Sequence, residues 1–240
     1  MAVAVVVKPE ERAGRILDAA AELLLRWGYK RVSIEEIARH AGIGKGTVYL
    51  HFSTRAALFM RVLMRESVGL VDQLIAAMHA DPAAMLPAEQ AQLTYLAVMA
   101  RPLLRAMFAR DVEVLGELAG DAAGQPLRAL KIDLADALFE LLRERGLMRT
   151  DLDAQTQRYV LNAIQTGFYL YPPVAMPSVS PEVAATALAH TIRHAVQPPG
   201  PPDSGALAAL APRVIAMYER FRHSMAIAAS GATPARREPA

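Results

Sequence analysis

Apolar residues recur at every third or fourth position over most of the chain, a spacing that predicts helices with one buried face each. The first such stretch follows Pro9 and ends at Gly28, a residue type that commonly terminates helices by adopting a left-handed turn. Its apolar positions are Ala13, Ile16, Leu17, Ala20, Leu23, Leu24 and Trp27. The pattern therefore predicts a first amphipathic helix.

A capping box marks the start of a second helix. The Ser33 hydroxyl can accept a hydrogen bond from the Glu36 backbone N–H, and the Glu36 carboxylate can reach back to the Ser33 backbone. This pairing predicts a helix that begins at Ile34. The helix can run only to about Ala41, because Gly42 favours a left-handed turn.

A short third helix follows this turn almost at once. Helical spacing resumes at Lys45 and continues to Phe52, with Val48 and Phe52 on the side that faces the first two helices. Thr54 then caps a long fourth helix, whose apolar positions are Leu58, Phe59, Val62, Leu63, Leu70, Val71 and Leu74. Two helices joined by a tight turn form a helix-turn-helix, whose second helix enters the major groove of DNA.

Further helices are predicted between the glycines, prolines and aspartates that interrupt the later part of the chain. They cover residues 88–108, 111–119, 126–145, 153–171, 181–196 and 206–228. A proline-rich linker spans 198–205, and the tail 229–240 is expected to be disordered. The sequence thus predicts an all-α protein, in which a three-helix DNA-binding domain at 10–65 is joined by a long helix to a larger helical domain at 66–228.

The outer face of the third helix carries residues that suit contact with DNA. With Val48 turned inward, the helical repeat places outward Gly46, Thr47, Tyr49, Leu50 and His51. Hydroxyl and imidazole groups can donate to phosphate oxygens and base edges, and Leu50 can contact thymine methyl groups. Gly46 lets the backbone approach the DNA closely. The helix N-terminus adds unpaired N–H groups that favour a phosphate.

Charge and composition agree with this assignment. Residues 1–66 contain 11 Lys and Arg against 7 Asp and Glu, whereas the remainder has a net charge of −2. The chain has no cysteine, which excludes disulfides and thiolate metal sites and fits a reducing cytoplasm. Charges or prolines interrupt every apolar run before it could span a membrane. We therefore expect a soluble cytoplasmic protein.

The helix-turn-helix residues resemble the signature of the TetR/AcrR family of transcriptional regulators. The similarity lies in 33–38 and 41–52, continues through 54–59, and extends over residues 10–65. It departs from the family pattern at Gly44, where a capping serine is usual, and at Ala56, where an acidic residue is common. Neither departure affects the expected fold.

The resemblance implies a role for individual side chains. The residues nearest the bases would be Lys45, Gly46, Thr47 and Leu50. The residues in contact with phosphates would be Tyr49 and His51. Arg55, at a position where the family usually has lysine, would hold a further phosphate. The predicted DNA-binding set is therefore Ser33, Lys45, Gly46, Thr47, Tyr49, Leu50, His51 and Arg55.

The resemblance also implies that 66–228 is a ligand-binding and dimerisation domain. Side chains that could line its ligand cavity are Tyr95, Met99, Met107, Phe108, Phe168, Tyr169 and Tyr171. The helices at 153–171 and 181–196 are expected to pair with their copies in a four-helix interface. Candidate interface residues are Val160, Ala163, Ile164, Gly167, Ala184, Ala187, Leu188 and Thr191. The helix at 206–228 could cover either this interface or the ligand domain.

These features predict a bacterial homodimer that binds a palindromic DNA operator in the nucleoid and represses transcription until a small apolar ligand releases it. An activator or a ligand-independent regulator remains open. A helical-bundle enzyme is the alternative from another class, but no glycine-rich phosphate loop, nucleophile elbow or carboxylate pair supports it. His190 and His194 have the spacing of metal ligands, yet 191–193 contain no acid, so neither a metal nor a cofactor is predicted.

Overall fold

The computed structural model describes residues 9–109, 125–171 and 179–230. Within these ranges the protein is helical and contains no strand, which confirms the predicted all-α fold. The helices are α1 (Pro9–Arg31), α2 (Ile34–His40), α3 (Lys45–His51), α4 (Arg55–Ala80), α5 (Pro87–Met99), α6 (Pro102–Phe108), α7 (Gln125–Glu144), α8 (Ala154–Leu170), α9 (Pro181–Val196) and α10 (Ser204–Ser230). A 3₁₀ turn at Pro82–Met85 joins α4 to α5.

Side-chain caps fix the starts of α2 and α4. Ser33 Oγ accepts from the Glu36 N–H at 3.2 Å, and Glu36 Oε2 accepts from the Ser33 N–H at 2.8 Å, so the predicted capping box is confirmed. Thr54 Oγ1 accepts from the Ala57 N–H at 3.0 Å. Between α2 and α3, Gly42 has φ 66°, the left-handed conformation that a side chain would strain. The helix-turn-helix is therefore encoded by local chemistry.

The stretch predicted as one helix at 88–108 is two helices, α5 and α6. The break lies at Arg101, whose φ of −117° and ψ of 101° are extended. Pro102 causes it, because proline lacks an N–H and its ring excludes the helical conformation at the preceding residue. The other predicted helices lie close to the observed ones. The helix predicted at 111–119 lies outside the described residues, as does most of the predicted tail.

Helix α4 organises the packing. It contacts α1, α5, α6 and α10, while α9 packs on α5 and α8, and α10 also packs on α7. The apolar side chains at these contacts form a continuous core that extends from Ile16 in α1 to Met225 in α10. Helix α4 continues without a break across residues 65 and 66, where the sequence suggested a domain boundary. The DNA-binding domain and the larger domain thus share one helix.

Among the described helices, none combines the length and apolar character that crossing a membrane requires.

Candidate DNA-binding face and internal cavity

The inner side of α3 anchors it in the DNA-binding domain. Val48 is fully buried and Phe52, at the C-terminal cap of α3, is 2% exposed. Both belong to the same core as Ile37 of α2 and Leu58 of α4. Arg15 of α1 adds a hydrogen bond, in which its guanidinium donates to the carbonyl of Ala41 at the turn. This packing holds α3 against the domain with its other side outward.

The outer side of α3 is open to solvent. Leu50 is 86% exposed and Tyr49 is 47% exposed, which is unusual for large apolar or aromatic side chains in a helix that is otherwise anchored. Gly46 is exposed, and a Cβ built on it would meet no atom within 4 Å, so nothing inside the protein requires a glycine there. Thr47 and His51 flank this face and are half-buried. The five predicted outward residues therefore share one accessible face.

Lys45 lies at the start of this face and pairs with Glu35 of α2. The hydrogen bond to Glu35 raises the pKa of Lys45, and the same bond lowers the pKa of Glu35. Both side chains are at least half exposed, so water and salt screen the pair and little energy is lost when Lys45 leaves it. Lys45 can therefore exchange Glu35 for a phosphate or a base edge.

Two members of the predicted DNA-binding set are engaged inside the domain. Ser33 forms the α2 cap described above. Arg55 Nη1 donates to the Tyr29 carbonyl at 3.2 Å and to the Val32 carbonyl at 3.0 Å, and its guanidinium lies 4.2 Å from the centre of the Tyr29 ring. Arg55 therefore joins the start of α4 to the segment between α1 and α2, which the sequence did not predict, and its contact with a phosphate stays a prediction.

These contacts of Arg55 lead to a prediction about stability. We expect Arg55→Ala to lower the free energy of unfolding by about 1–3 kcal/mol, because two hydrogen bonds from a charged donor and a cation–π contact are lost together. Urea denaturation followed by circular dichroism measures the change. Arg31→Ala, at an exposed arginine of the same domain, is the control and should leave the midpoint within error. An unchanged midpoint for Arg55→Ala, with weaker DNA binding, would contradict this structural role and support the contact with a phosphate.

A cavity of about 310 Å³ lies in the larger domain between α4, α5, α6, α7, α8 and α10. Its walls are mostly apolar, with Leu70 and Val71 of α4 and Phe139 of α7 among them. This volume is at the lower end of the range for small-molecule sites, about 300–1,000 Å³. A mostly apolar cavity with a few polar groups suits a small organic ligand.

Of the aromatic and methionine residues predicted to line the ligand cavity, only some do so. Phe108 and Tyr169 line the cavity. Tyr95 is fully buried and packs on Tyr169 with 5.4 Å between ring centres, so it supports the wall from behind. Tyr171 is 66% exposed at the end of α8. The remaining candidates, Met99, Met107 and Phe168, are half-buried and are not part of the wall.

The polar residues of the cavity wall that sequence reasoning missed include Ser67 of α4 and Lys131 of α7. Ser67 Oγ is buried and has no hydrogen-bond partner among the described residues. Lys131 occupies a position in line with the apolar Leu134 and Leu138, three and seven residues later, both of which line the cavity. A lysine in the apolar stripe of a helix was the signal that could have identified it.

The residues predicted for the dimer interface also divide into two groups. Ala163, Gly167, Ala187 and Thr191 are exposed, and Val160 and Ile164 are half-buried. Ala184 and Leu188 are 8% and 0% exposed within the single chain and belong to its apolar core. Those two need correction, because they belong to the chain's own core. Four large side chains on or at the ends of α8 and α9 are also exposed: Tyr159, Leu170, Tyr171 and Val183.

His190 and His194 lie on the exposed side of α9 with 4.2 Å between ring centres, and His194 Nδ1 is 2.8 Å from the His190 carbonyl. In the described part of the chain, no cluster of three or more potential metal-ligating side chains surrounds them or occurs elsewhere.

A helix-turn-helix with an exposed second helix, joined through one long helix to a helical domain around a cavity, defines a DNA-binding regulator. Comparison with known proteins agrees. The family model described as "Bacterial regulatory proteins, tetR family" matches residues 16–62. Residues 16–62 thus carry a DNA-binding domain of the TetR family of transcriptional regulators. The named relatives are regulators of transcription and not enzymes, which supports the assignment against the enzyme alternative.

The names of the curated relatives include both a transcriptional activator and a transcriptional repressor. The HTH-type transcriptional activator FasR of Mycolicibacterium smegmatis is 40% identical over 62 residues, which cover 26% of this chain and 28% of FasR. The HTH-type transcriptional repressor BepR of Brucella suis is 25% identical over 163 residues, covering 64% of this chain and 76% of BepR. For FasR and two further curated relatives, the match spans only 20–39% of their length.

The fold extends beyond the DNA-binding domain. The crystal structure of NalD, the secondary repressor of the MexAB-OprM multidrug efflux pump in Pseudomonas aeruginosa, superimposes with a TM-score of 0.59 over 80% of this chain and 98% of NalD. The sequence identity is 22%, so the comparison concerns the fold alone.

Proposed function

We propose that the chain is a homodimeric repressor, released from a palindromic operator by a small ligand. The outer face of α3 is the observation that carries this proposal. A helix that buries Val48 and Phe52 while leaving Leu50 86% exposed and Tyr49 47% exposed has an unsatisfied apolar and hydroxyl-bearing surface. The width of the DNA major groove accepts such a helix. Thr47 and Leu50 then face the bases, and Tyr49 and His51 face the phosphates.

The exposed surface of α8 and α9 supports dimerisation. Tyr159, Leu170 and Val183 are 74%, 53% and 58% exposed, and the exposed small residues Ala163 and Ala187 lie one helical turn after Tyr159 and Val183. Large apolar side chains around small ones let two helix pairs approach closely and bury the surface. Two copies related by a twofold axis would present their α3 helices to major grooves about 34–36 Å apart on palindromic DNA.

Helix α4 can couple the cavity to DNA binding. Its N-terminus is capped by Thr54 shortly after α3, and sixteen and seventeen positions further along, Leu70 and Val71 line the cavity. A ligand that fills the cavity and fits a different tilt of α4 would favour dimers whose α3 helices have the wrong separation. Release then requires the ligand to bind that state more tightly than the DNA-competent state.

Selection of DNA by the full-length protein tests the proposal most directly. From a pool of random duplexes, we expect enrichment of a palindrome whose half-sites are separated by one helical turn. Recovery of unrelated sequences without palindromes, from protein shown to be folded and dimeric, would contradict the proposal.

Variants of α3 separate positioning contacts from base readout. Tyr49→Phe and His51→Phe are expected to weaken binding to operator and to unrelated DNA by a similar factor, since phosphate contacts carry no sequence information. Thr47→Ala is expected to reduce discrimination at one or two base positions by about 1–3 kcal/mol while binding to unrelated DNA persists. Fluorescence anisotropy with both duplexes measures this. Ser204→Ala, at an exposed hydroxyl of α10, is the control for loss of a surface hydroxyl and should change neither affinity.

An activator is the second candidate, and the name of FasR favours it. Transcription in vitro from a promoter that carries the selected operator distinguishes the two. A repressor lowers the amount of transcript when added, whereas an activator raises it. Addition of ligand should reverse the effect in either case.

A further inference from the structure

The described residues of the cavity wall include one cationic side chain and no anionic side chain. Of the residues that line it, Lys131 is the single one with a formal charge at neutral pH, and the described wall contains no Asp or Glu. The other polar wall residues are neutral hydroxyls and amides. The cavity therefore presents a cation within an apolar enclosure and, in the described part of the chain, no anion to balance it.

Among the described residues, Lys131 has no carboxylate partner of the kind that a partly buried lysine normally has. Its one close polar or aromatic contact among the described residues is the ring of Phe108, with Nζ 5.4 Å from the ring centre. Burial lowers the pKa of Lys131 from 10.5 to about 8. An aromatic ring stabilises an ammonium less than a carboxylate does, so desolvation is only partly offset. A ligand with an anionic group would supply the compensating charge that the described residues do not provide for Lys131.

Ser67 provides a second, independent observation. Ser67 is 5% exposed and lines the same cavity from α4, and its hydroxyl has no hydrogen-bond partner among the described residues. Buried hydroxyls are nearly always paired, so an orphaned one at a cavity wall points to a partner that the ligand supplies. A hydroxyl can donate to an anionic oxygen while the ammonium of Lys131 pairs with the same group.

We propose that the cavity selects an apolar molecule with one carboxylate or comparable monoanionic group, which pairs with Lys131 and accepts a hydrogen bond from Ser67. The apolar remainder would lie against the leucine and phenylalanine side chains of the wall. This inference rests on the proposed function, in which the cavity is the effector site. It narrows the effector class from apolar molecules in general to acids.

Matched acid and alcohol probes test the selection on the full-length protein by isothermal titration calorimetry. The pairs are decanoate with decanol and 4-phenylbutyrate with 4-phenylbutanol, which cover an aliphatic and an aromatic shape. We expect at least one acid to bind about tenfold or more tightly than its alcohol, because a charge-assisted pair outweighs a neutral hydrogen bond. Lys131→Met should abolish this preference and retain binding of the alcohol. Lys30→Met, at an exposed lysine, should change neither.

Proton uptake gives a readout that a merely structural role would not produce. Near pH 8, free Lys131 is partly deprotonated, and a bound carboxylate favours the ammonium, so binding should draw a fraction of a proton from the buffer. Titrations in two buffers of different ionisation enthalpy measure it. Lys131→Arg should keep the preference for acids without the uptake, since arginine stays charged throughout. Ser67→Ala should weaken acid binding by a smaller factor than Lys131→Met.

The outcomes distinguish this inference from the proposed function. Equal affinity for acid and alcohol, binding of neither pair, or an unchanged preference in Lys131→Met would overturn the inference. Anisotropy measurements with operator DNA then address the effector role separately. If an alcohol releases DNA as well as its acid does, the cavity is an effector site and the acid selection is wrong. If acids bind through Lys131 but leave DNA binding unchanged, the selection stands and the effector role fails.

Discussion

Aspartate in place of Ala163 or Ala187 is expected to give a monomer whose affinity for operator DNA is lower by about 100-fold or more. Both side chains are exposed in the single chain and lie among the large apolar residues of the α8–α9 surface. In a twofold interface each new carboxylate would be buried without a cation, at a cost of several kcal/mol. Since about 1.4 kcal/mol is tenfold in affinity, that cost is enough to separate the subunits.

Loss of the dimer removes most of the DNA affinity because one α3 helix alone contacts a single half-site. The substituted residues are solvent-exposed in the monomer, so helical content should remain close to that of the unmodified protein. Ala209→Asp, at an exposed alanine of α10, is the matched control and should remain dimeric. Sedimentation velocity and circular dichroism measure assembly and folding, and anisotropy measures DNA binding. Unchanged dimers for both variants would place the interface elsewhere.

The structure refines which positions can be used in this experiment. Periodicity shows that α9 is apolar on two sides, but it does not show which side belongs to the chain's own core. Leu188 and Ala184 are buried within the chain, whereas Ala187 and Thr191 are exposed. Aspartate at Leu188 would therefore unfold the domain and report nothing about assembly. Burial by a distant segment of the chain is information that the local sequence does not contain.

Local chemistry made the DNA-binding domain predictable from the sequence. The Ser33 and Thr54 caps and the Gly42 turn each depend on residues within about four positions, which is the range over which sequence patterns are reliable. Arg55 differs, because its partners are the carbonyls of Tyr29 and Val32, more than twenty positions away. A family resemblance suggests a role for such a side chain but not the contacts it makes within this chain.

The cavity was the least predictable feature. Residues from six helices form its wall. The aromatic and methionine content of the sequence suggested Tyr95 and Met99, but neither lines the cavity. The break before Pro102 was also missed, since the apolar spacing continues on both sides of it. Lys131 escaped notice because a single lysine on a helix is usually a solvated surface residue. Only the tertiary packing shows that its position faces an enclosure.

Replacement of Lys131 by methionine is expected to stabilise the ligand-free protein at pH 7, by about 1–2 kcal/mol. Methionine has a similar length and removes a charge that is poorly compensated in the folded state. The lowered pKa of about 8, against an ordinary 10.5, expresses that cost. The expected gain is smaller than this difference alone would give, because the side chain is only partly enclosed.

The gain should depend on pH with a defined sign. Below pH 8, Lys131 is protonated in both the folded and unfolded states, and the full cost of its charge is present. Between about pH 8 and pH 10.5, the unfolded chain holds more protons at this residue than the folded protein does. The free energy of unfolding therefore rises with pH over this window. The advantage of Lys131→Met should accordingly shrink from pH 8 upward and vanish near pH 10.5.

Urea denaturation of both proteins at intervals from pH 7 to pH 10.5 measures the difference. Burial also raises the pKa of Tyr95, Tyr169 and Tyr218, which destabilises the folded state at high pH, but these phenols are common to both proteins and cancel in the difference. Lys131→Arg is the control: its charge persists at every pH, so it should show neither the gain at pH 7 nor the rise above pH 8. A constant difference between Lys131→Met and the unmodified protein across the whole range would mean that the ammonium of Lys131 is solvated rather than enclosed, and the preference of the cavity for acids would lose its physical basis.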